Sequence, residues 1–377
     1  MSNRFELSTL TQLHEVQALG VPDIFIDTDL GLDVEEVVSG AAGDVPQEGV
    51  DQAVSPSSVA ESSRKMVQPV SLEEELEQAK SVRNDAQRAV RVLMDDVRMG
   101  RQVKIERVEH VVSSMVESIL RNKDALLSMD LIRHRDRYTF EHCVSVAALL
   151  IAFGREMGLT EDVLHKLGVG GMLHDLGKAK VPDLILNKPG KLTDQEYEQI
   201  KQHVVYACEM VDELGLDPLS VQVIREHHER WDGGGYPNRL KGDEISLYGQ
   251  MAAIVDVYDA VASHRIYHKG EAPTSVLKML LEESDKHFNG ELVQHFIHAV
   301  GIYPVGTLVR LDNAHLAVVI SQGQEGLLYP ILRVIFNAGS GSYVQPYVVN
   351  LSESELKIVG YENPESWGIT PHVFVNR

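Results

Sequence analysis

The sequence predicts a mainly α protein, a helical bundle core followed by a small β-rich C-terminal subdomain. Three observations carry this. Apolar residues recur at helical spacing from Ser71 to about residue 300, interrupted by short loops that contain Gly and Pro. Ser71 with Glu74, and Thr193 with Glu196, have the Ser/Thr-x-x-Glu spacing of a helix N-terminal capping box. Beyond residue 302 the period changes to alternation, in short segments rich in β-branched residues between Gly and Asn turns.

In chain order, residues 1–37 read as a small fragment, helix-like over 5–19 and strand-like over 23–27, too short to bury a core alone. Residues 38–70 carry Gly, Ser, Pro, Gln and scattered acids without periodicity, which predicts a disordered linker. Residues 71–129 predict a helical hairpin: one helix to about Arg98, a second over roughly 103–128. Val108, Val111, Val112, Met115, Ile119 and Leu120 form one stripe on the second helix, suited to hairpin packing and to a homodimer interface. Residues 130–301 hold the chemistry. A helix over 139–157 carries His142, and an apolar run ends in His174-Asp175-Leu176-Gly177-Lys178. A Pro-containing loop over 181–190 precedes a helix that delivers His203. A helix over 221–230 brings His227-His228-Glu229 and is broken by Gly233-Gly234-Gly235. The last of these helices, 248–263, carries Asp256 and Asp259 three apart and so on one face. Segments 305–311, 315–320, 331–335 and 343–350 predict a small β-domain or barrel-like cap over 302–377.

At 377 residues the chain exceeds one average domain, and 44% hydrophobic residues suffice for a sizeable core. Cys143 and Cys208 lie in apolar helical contexts without CxxC spacing, as buried thiols in a reducing compartment would. Neither a signal peptide nor a membrane-length apolar run is visible, so the expected location is cytoplasmic. A net charge of −21 disfavours DNA or RNA as partner. Yet residues 1–75 hold fifteen acids and three bases, more than half of that excess, so a small phosphate-bearing ligand stays compatible with the remainder.

Five of the 16 histidines, His142, His174, His203, His227 and His228, fall with Asp175 and Asp256 on elements that otherwise look buried. An isolated His-Asp doublet is ordinarily a hydrogen bond at a helix end, and one buried His is ordinarily a satisfied core residue. Seven nitrogen and oxygen ligands on separate apolar elements are better explained by metal. They exceed the needs of one octahedral ion, which favours a pair of ions sharing a carboxylate. Fe or Mn suits such donors, and Ni, Co and Zn are also compatible.

The run His227-His228-Glu229-Arg230-Trp231-Asp232-Gly233-Gly234-Gly235-Tyr236-Pro237 resembles the H-H-E-x-x-D-G-x-G-Y-P signature of the HD-GYP subgroup of HD phosphohydrolases. His174-Asp175 is similar to the doublet of that superfamily, and Asn187-Lys188-Pro189-Gly190 and Asp256-Val257-Tyr258-Asp259-Ala260 also match. The flanking N-terminal pieces resemble a domain of unknown function that precedes HD-GYP in some chains. The resemblance covers about residues 130–300 and implies an HD-type helical bundle that hydrolyses cyclic di-GMP to pGpG, and in some members on to GMP. It further implies that His142, His174, Asp175 and Asp256 hold one metal, and Asp175, His203, His227 and His228 the other. Attack by a metal-bridging hydroxide would then make Asp175 and Lys178 the catalytic residues. Lys178 and Arg265 would meet substrate phosphate, Tyr236 and Asp259 would lie near the nucleotide, and Gly235-Tyr236-Pro237 would also contact protein partners. Members with three metals carry Glu four residues before the first His; Tyr138 stands there, so two metals are expected. Ile266 replaces the usual Pro after Arg265, and His268 stands where a basic residue is common. Two other readings remain beside this one: a different HD-type nucleotide phosphohydrolase, and a non-catalytic receptor for cyclic di-GMP or for proteins.

Overall fold

The computed structural model describes residues 68–131, 138–262, 271–323 and 325–375, and the side chains of 130, 131, 138 and 139 are not among them. The fragment at 1–37, most of the linker at 38–70, Tyr138's side chain, Arg265, Ile266 and His268 lie outside the described residues. What is described belongs to one compact unit, Lys65–Arg377.

The unit opens with α1 (Leu72–Arg98) and α2 (Glu106–Leu127). Ser71 Oγ accepts the Glu74 N–H while the Glu74 carboxylate accepts the Ser71 N–H, so the predicted capping box starts α1. The two helices form the hairpin. Glu75, 2% exposed, accepts from Arg121 Nε at 2.6 Å and Nη2 at 2.9 Å, a bidentate clasp between them. Val108, Val111, Val112, Met115 and Ile119 are buried inside the chain, so that stripe already has its partner.

Four longer helices carry the chemistry: α3 (Tyr138–Glu156), α4 (Glu161–Leu173), α5 (Asp194–Leu214) and α7 (Leu247–Ala262), with the short α6 (Pro218–Glu226) between the last two. α8 (Pro273–Glu282) and α9 (Gly290–Val300) close the helical part. α6 ends at Glu226, so His227 and His228 stand on the turn beyond it and not on the helix predicted over 221–230. α4 likewise ends at Leu173, with His174 as its C-cap and Asp175 already out of helical geometry (φ −98°, ψ 8°). That is how two sequential residues, 100° apart on a helix, come to face one point.

The tail forms one antiparallel sheet, order β4-β3-β2-β1-β5, from β1 (Leu308–Leu311), β2 (His315–Ser321), β3 (Ile331–Asn337), β4 (Ser342–Asn350) and β5 (Ile358–Tyr361). The sheet is open, with β4 and β5 at its edges, so the barrel-like alternative gives way to a simple sheet. β5 was not expected: its four residues are half-buried apart from exposed Val359, too short a run for alternation to register. Leu316, Val318, Leu332 and Val334 share one apolar core with Val90, Met94, Val112 and Met115 of the hairpin. A second core joins α3, α7, α8 and α9 around Phe153, Met251, Leu280 and Phe296.

Candidate metal centre

The seven expected ligands come from five places in the bundle. α3 supplies His142, the end of α4 supplies His174 and Asp175, α5 supplies His203, the turn after α6 supplies His227 and His228, and α7 supplies Asp256. The structure brings all seven together. His142, His174, Asp175, His203 and His227 are each no more than 2% exposed, whereas the His228 side chain is 25% exposed and marks an open side.

Backbone approach fixes part of this geometry. The turn after Asp175 lies so close to α5 that a Cβ on Gly177 would fall 1.8 Å from the His203 carbonyl oxygen. Only glycine lets Asp175 and His203 reach one another there.

Ring orientation is fixed as well. Nδ1 of His174, His203 and His227 faces the carbonyl oxygens of Gly171, Ile200 and Ile224 at 2.8, 2.7 and 2.8 Å. A carbonyl only accepts, so each Nδ1 carries the proton and each Nε2 turns its other side to the centre. His142 Nδ1 instead meets the Asp259 carboxylate at 2.6 Å. The sequence reading set Asp259 beside the nucleotide. In the structure Asp259 is 2% exposed and its carboxylate lies against His142 Nδ1, where it orients that ring.

Two clusters result, His142–His174–Asp175 and His203–His227–His228, each with its donor atoms within 4.8 Å of one another. Asp175 faces both. Its Oδ2 lies 3.4 Å from His174 Nε2 and 3.7 Å from His142 Nε2, and its Oδ1 lies 3.4 Å from His203 Nε2. Asp256 spans in the same way, Oδ1 to His142 Nε2 at 3.0 Å and Oδ2 to His228 Nδ1 at 3.7 Å.

Electrostatics test whether a cation fits. Burial pushes His203 down to about 4, His228 to about 3 and His227 well below its ordinary value, so these rings are neutral near pH 7. His203 and His227 then point Nε2 lone pairs at each other across 3.3 Å. Asp175 Oδ1 faces the same spot, buried and without a hydrogen-bond partner among the described residues. Burial works against ionised Asp175, but Lys178, His174 and His203 hold its carboxyl well below the usual range. Two neutral nitrogens and an anionic oxygen, all lone pairs and no proton between them, fit a divalent cation. On the other side, burial opposes a charged His142, yet Asp256 and Asp259 outweigh it and raise its pKa to about 9. A proton there takes the position of a second cation.

Lys178 sits at the edge, its ammonium 2.6 Å from Asp175 Oδ2 and its side chain 22% exposed. Tyr236 stacks on His228 (centroids 4.7 Å, planes 28° apart) at the open side. Sequence reasoning missed a group that shapes the loop just beyond Tyr236. Glu229, 1% exposed, accepts the N–H of Asn238 at 2.7 Å and of Leu240 at 3.0 Å and so folds the glycine loop back on itself. Gly235 fits beneath it because a Cβ would meet Arg230 N at 2.4 Å.

Residues 115–292 match the family described as an HD domain, and residues 1–108 match a domain of unknown function, DUF3391. A cyclic di-GMP phosphodiesterase of Pseudomonas aeruginosa is 37% identical over 366 residues, 96% of this chain and 86% of its own length. The chain belongs to the HD-GYP family. Two further relatives match less than half of this HD-GYP protein. A 3′3′-cGAMP-specific phosphodiesterase of Vibrio cholerae is 36% identical over 43% of the chain and 32% of its own length. A cyclic di-GMP phosphodiesterase of Thermotoga maritima is 34% identical over 44% of the chain and 46% of its own length.

Proposed function

We propose that this HD-GYP protein is a metal-dependent phosphodiesterase that hydrolyses cyclic di-GMP to pGpG. The observation that carries the reading is Asp175: one buried carboxylate presents an oxygen to each of two His clusters and leaves Oδ1 unpaired where two imidazole lone pairs converge. Two divalent cations fit, one held by His142, His174, Asp175 and Asp256, the other by Asp175, His203, His227 and His228, with Fe or Mn the best-suited metals. Such a pair, when bound, acidifies water and offers Lewis-acid contacts to phosphoryl oxygens.

The chain's own residues do the rest. The carbonyls of Gly171, Ile200 and Ile224 and the Asp259 carboxylate hold four rings in one tautomer and orientation, so no reorganisation accompanies reaction. Lys178, partly exposed at the rim, offsets the charge that grows on the phosphoryl group. Tyr236 covers His228 and narrows the open side against bulk water. Where the Gly235-Tyr236-Pro237 loop contacts a protein partner, it does so through its exposed outer residues Asp232, Asn238 and Arg239, since Gly235 is buried and Tyr236 turns inward. Among the described residues no helix is long and apolar enough to cross a membrane, and we place the enzyme in the cytoplasm.

The test is chromatography of nucleotides after incubating Mn- or Fe-loaded protein with cyclic di-GMP, 3′3′-cGAMP or GMP in parallel. Conversion of cyclic di-GMP to pGpG is expected. Survival of cyclic di-GMP beside cleavage of 3′3′-cGAMP or of the mononucleotide would overturn the reading.

A further inference from the structure

The open side of the metal centre carries a cation that the chemistry above does not use. Lys201 lies on α5, two residues before His203, with its side chain 25% exposed. Its ammonium stands 5.4 Å from the centroid of Tyr236, the ring that stacks on His228, and 4.7 Å from the centroid of Tyr197. Lys201 therefore lies one aromatic ring beyond the outermost metal ligand, between an inner ring and an exposed one. Among the described residues its ion-pair partner is Glu198 Oε1 at 2.6 Å, one turn away on the same helix and 65% exposed. A water-exposed i,i+3 pair of that kind holds weakly and yields to a stronger anion.

Resting on the proposed function, we propose that Lys201 binds the phosphate of the cyclic dinucleotide that is not being cleaved. A cyclic dinucleotide has two phosphodiesters on opposite sides of one ring, and the metal centre takes one of them. The second then needs a cation at the rim, in a protein whose net charge is −21. Lys178, the nearer cation, is engaged by Asp175 at 2.6 Å, which leaves it facing the reacting phosphate. Lys201 stands farther out, its ammonium over the Tyr236 and Tyr197 rings. The contact is uniform binding, made equally in ground and transition states, so it acts on KM and not on kcat.

The experiment compares Lys201→Met and Lys201→Arg with the wild-type holoenzyme on two substrates: cyclic di-GMP, and bis(p-nitrophenyl) phosphate, which has one phosphodiester and no second. Lys201→Met should raise KM for cyclic di-GMP by roughly tenfold or more, the scale of one charge-assisted hydrogen bond, with kcat changing by less than about threefold. The loss on cyclic di-GMP should exceed that on bis(p-nitrophenyl) phosphate by about tenfold, metal content should stay at the wild-type level, and Lys201→Arg should recover most of the affinity. Equal losses on both diesters, or lost metal, would make Lys201 structural and overturn the inference. An unchanged KM for cyclic di-GMP in an active wild-type background overturns it alone, whereas a wild-type enzyme inert towards cyclic di-GMP overturns the proposed function with it.

Discussion

Glu229→Gln exchanges one oxygen for an NH2 group and keeps the side chain's size. The carboxylate accepts the Asn238 N–H on Oε1 and the Leu240 N–H on Oε2, at 2.7 and 3.0 Å. An amide has one oxygen, so one of those backbone N–H groups would face another donor. Hydrogen bonds to charged groups contribute about 1.5–3 kcal/mol, and a buried donor left unpaired costs about 1–3 kcal/mol. A net loss of about 2 kcal/mol favours the open loop about 30-fold. The effect is local, because Glu229 ties down the 238–240 end of the loop while the metal ligands have their own anchors. Hydrogen exchange read by mass spectrometry should show the amides of 236–242 exchanging about 30-fold faster, with metal content unchanged. In steady-state kinetics kcat/KM for cyclic di-GMP should fall by at least about tenfold as Tyr236 leaves His228. Unchanged exchange across the loop would refute the anchoring role, whatever the kinetics.

Asp175→Ala removes the oxygens that face both clusters, so metal and activity should be lost together; Lys178→Ala should retain metal and lose mainly kcat. Metal analysis beside turnover separates them, and equal metal loss in both variants would contradict the division of roles. Metal loading should also release protons. Near neutral pH His142, with a pKa of about 9, carries a proton where a cation needs a lone pair, whereas His203 at about 4 and His228 at about 3 are already neutral. Binding should expel close to one proton per chain, and affinity should rise with pH until about 9. A weakly buffered indicator titration reads this directly; pH-independent binding between about 6 and 8 would count against it.

Much of the centre is legible in the sequence because its ligands announce themselves chemically. His174 and Asp256 each interrupt an apolar run, His142 opens one, and the doublet at 227–228 is followed by a glycine break. What sits behind the ligands is not legible. Asp259 shares a helix face with Asp256 and reads as another group aimed into the site, but its partner is 117 residues away in the chain. Glu229 reads as part of a motif, and nothing in its neighbours says that it accepts backbone N–H groups nine and eleven residues on. Lys201 reads as a solvated cation on an amphipathic helix until Tyr236 is folded beside it. The end of α6 was misplaced because Glu226, His227 and His228 continue its helical spacing; tertiary contacts, Glu226 to Ser246 among them, end the helix there.

The shared core of hairpin and sheet bears on where this protein can be divided. The HD-domain match begins at residue 115, inside α2, and stops at 292, before β1. Cut at those points, the excised piece would lose α1, the first nine residues of α2, most of α9 and every strand. Leu173, Ala147 and Ile151, which pack in that same core, would be left facing water. The segment that the HD-domain match covers is thus smaller than the segment that can bury its own surface. The flanks count as masonry of the enzyme, so relatives that share only residues near 115–292 must cover those faces with other material.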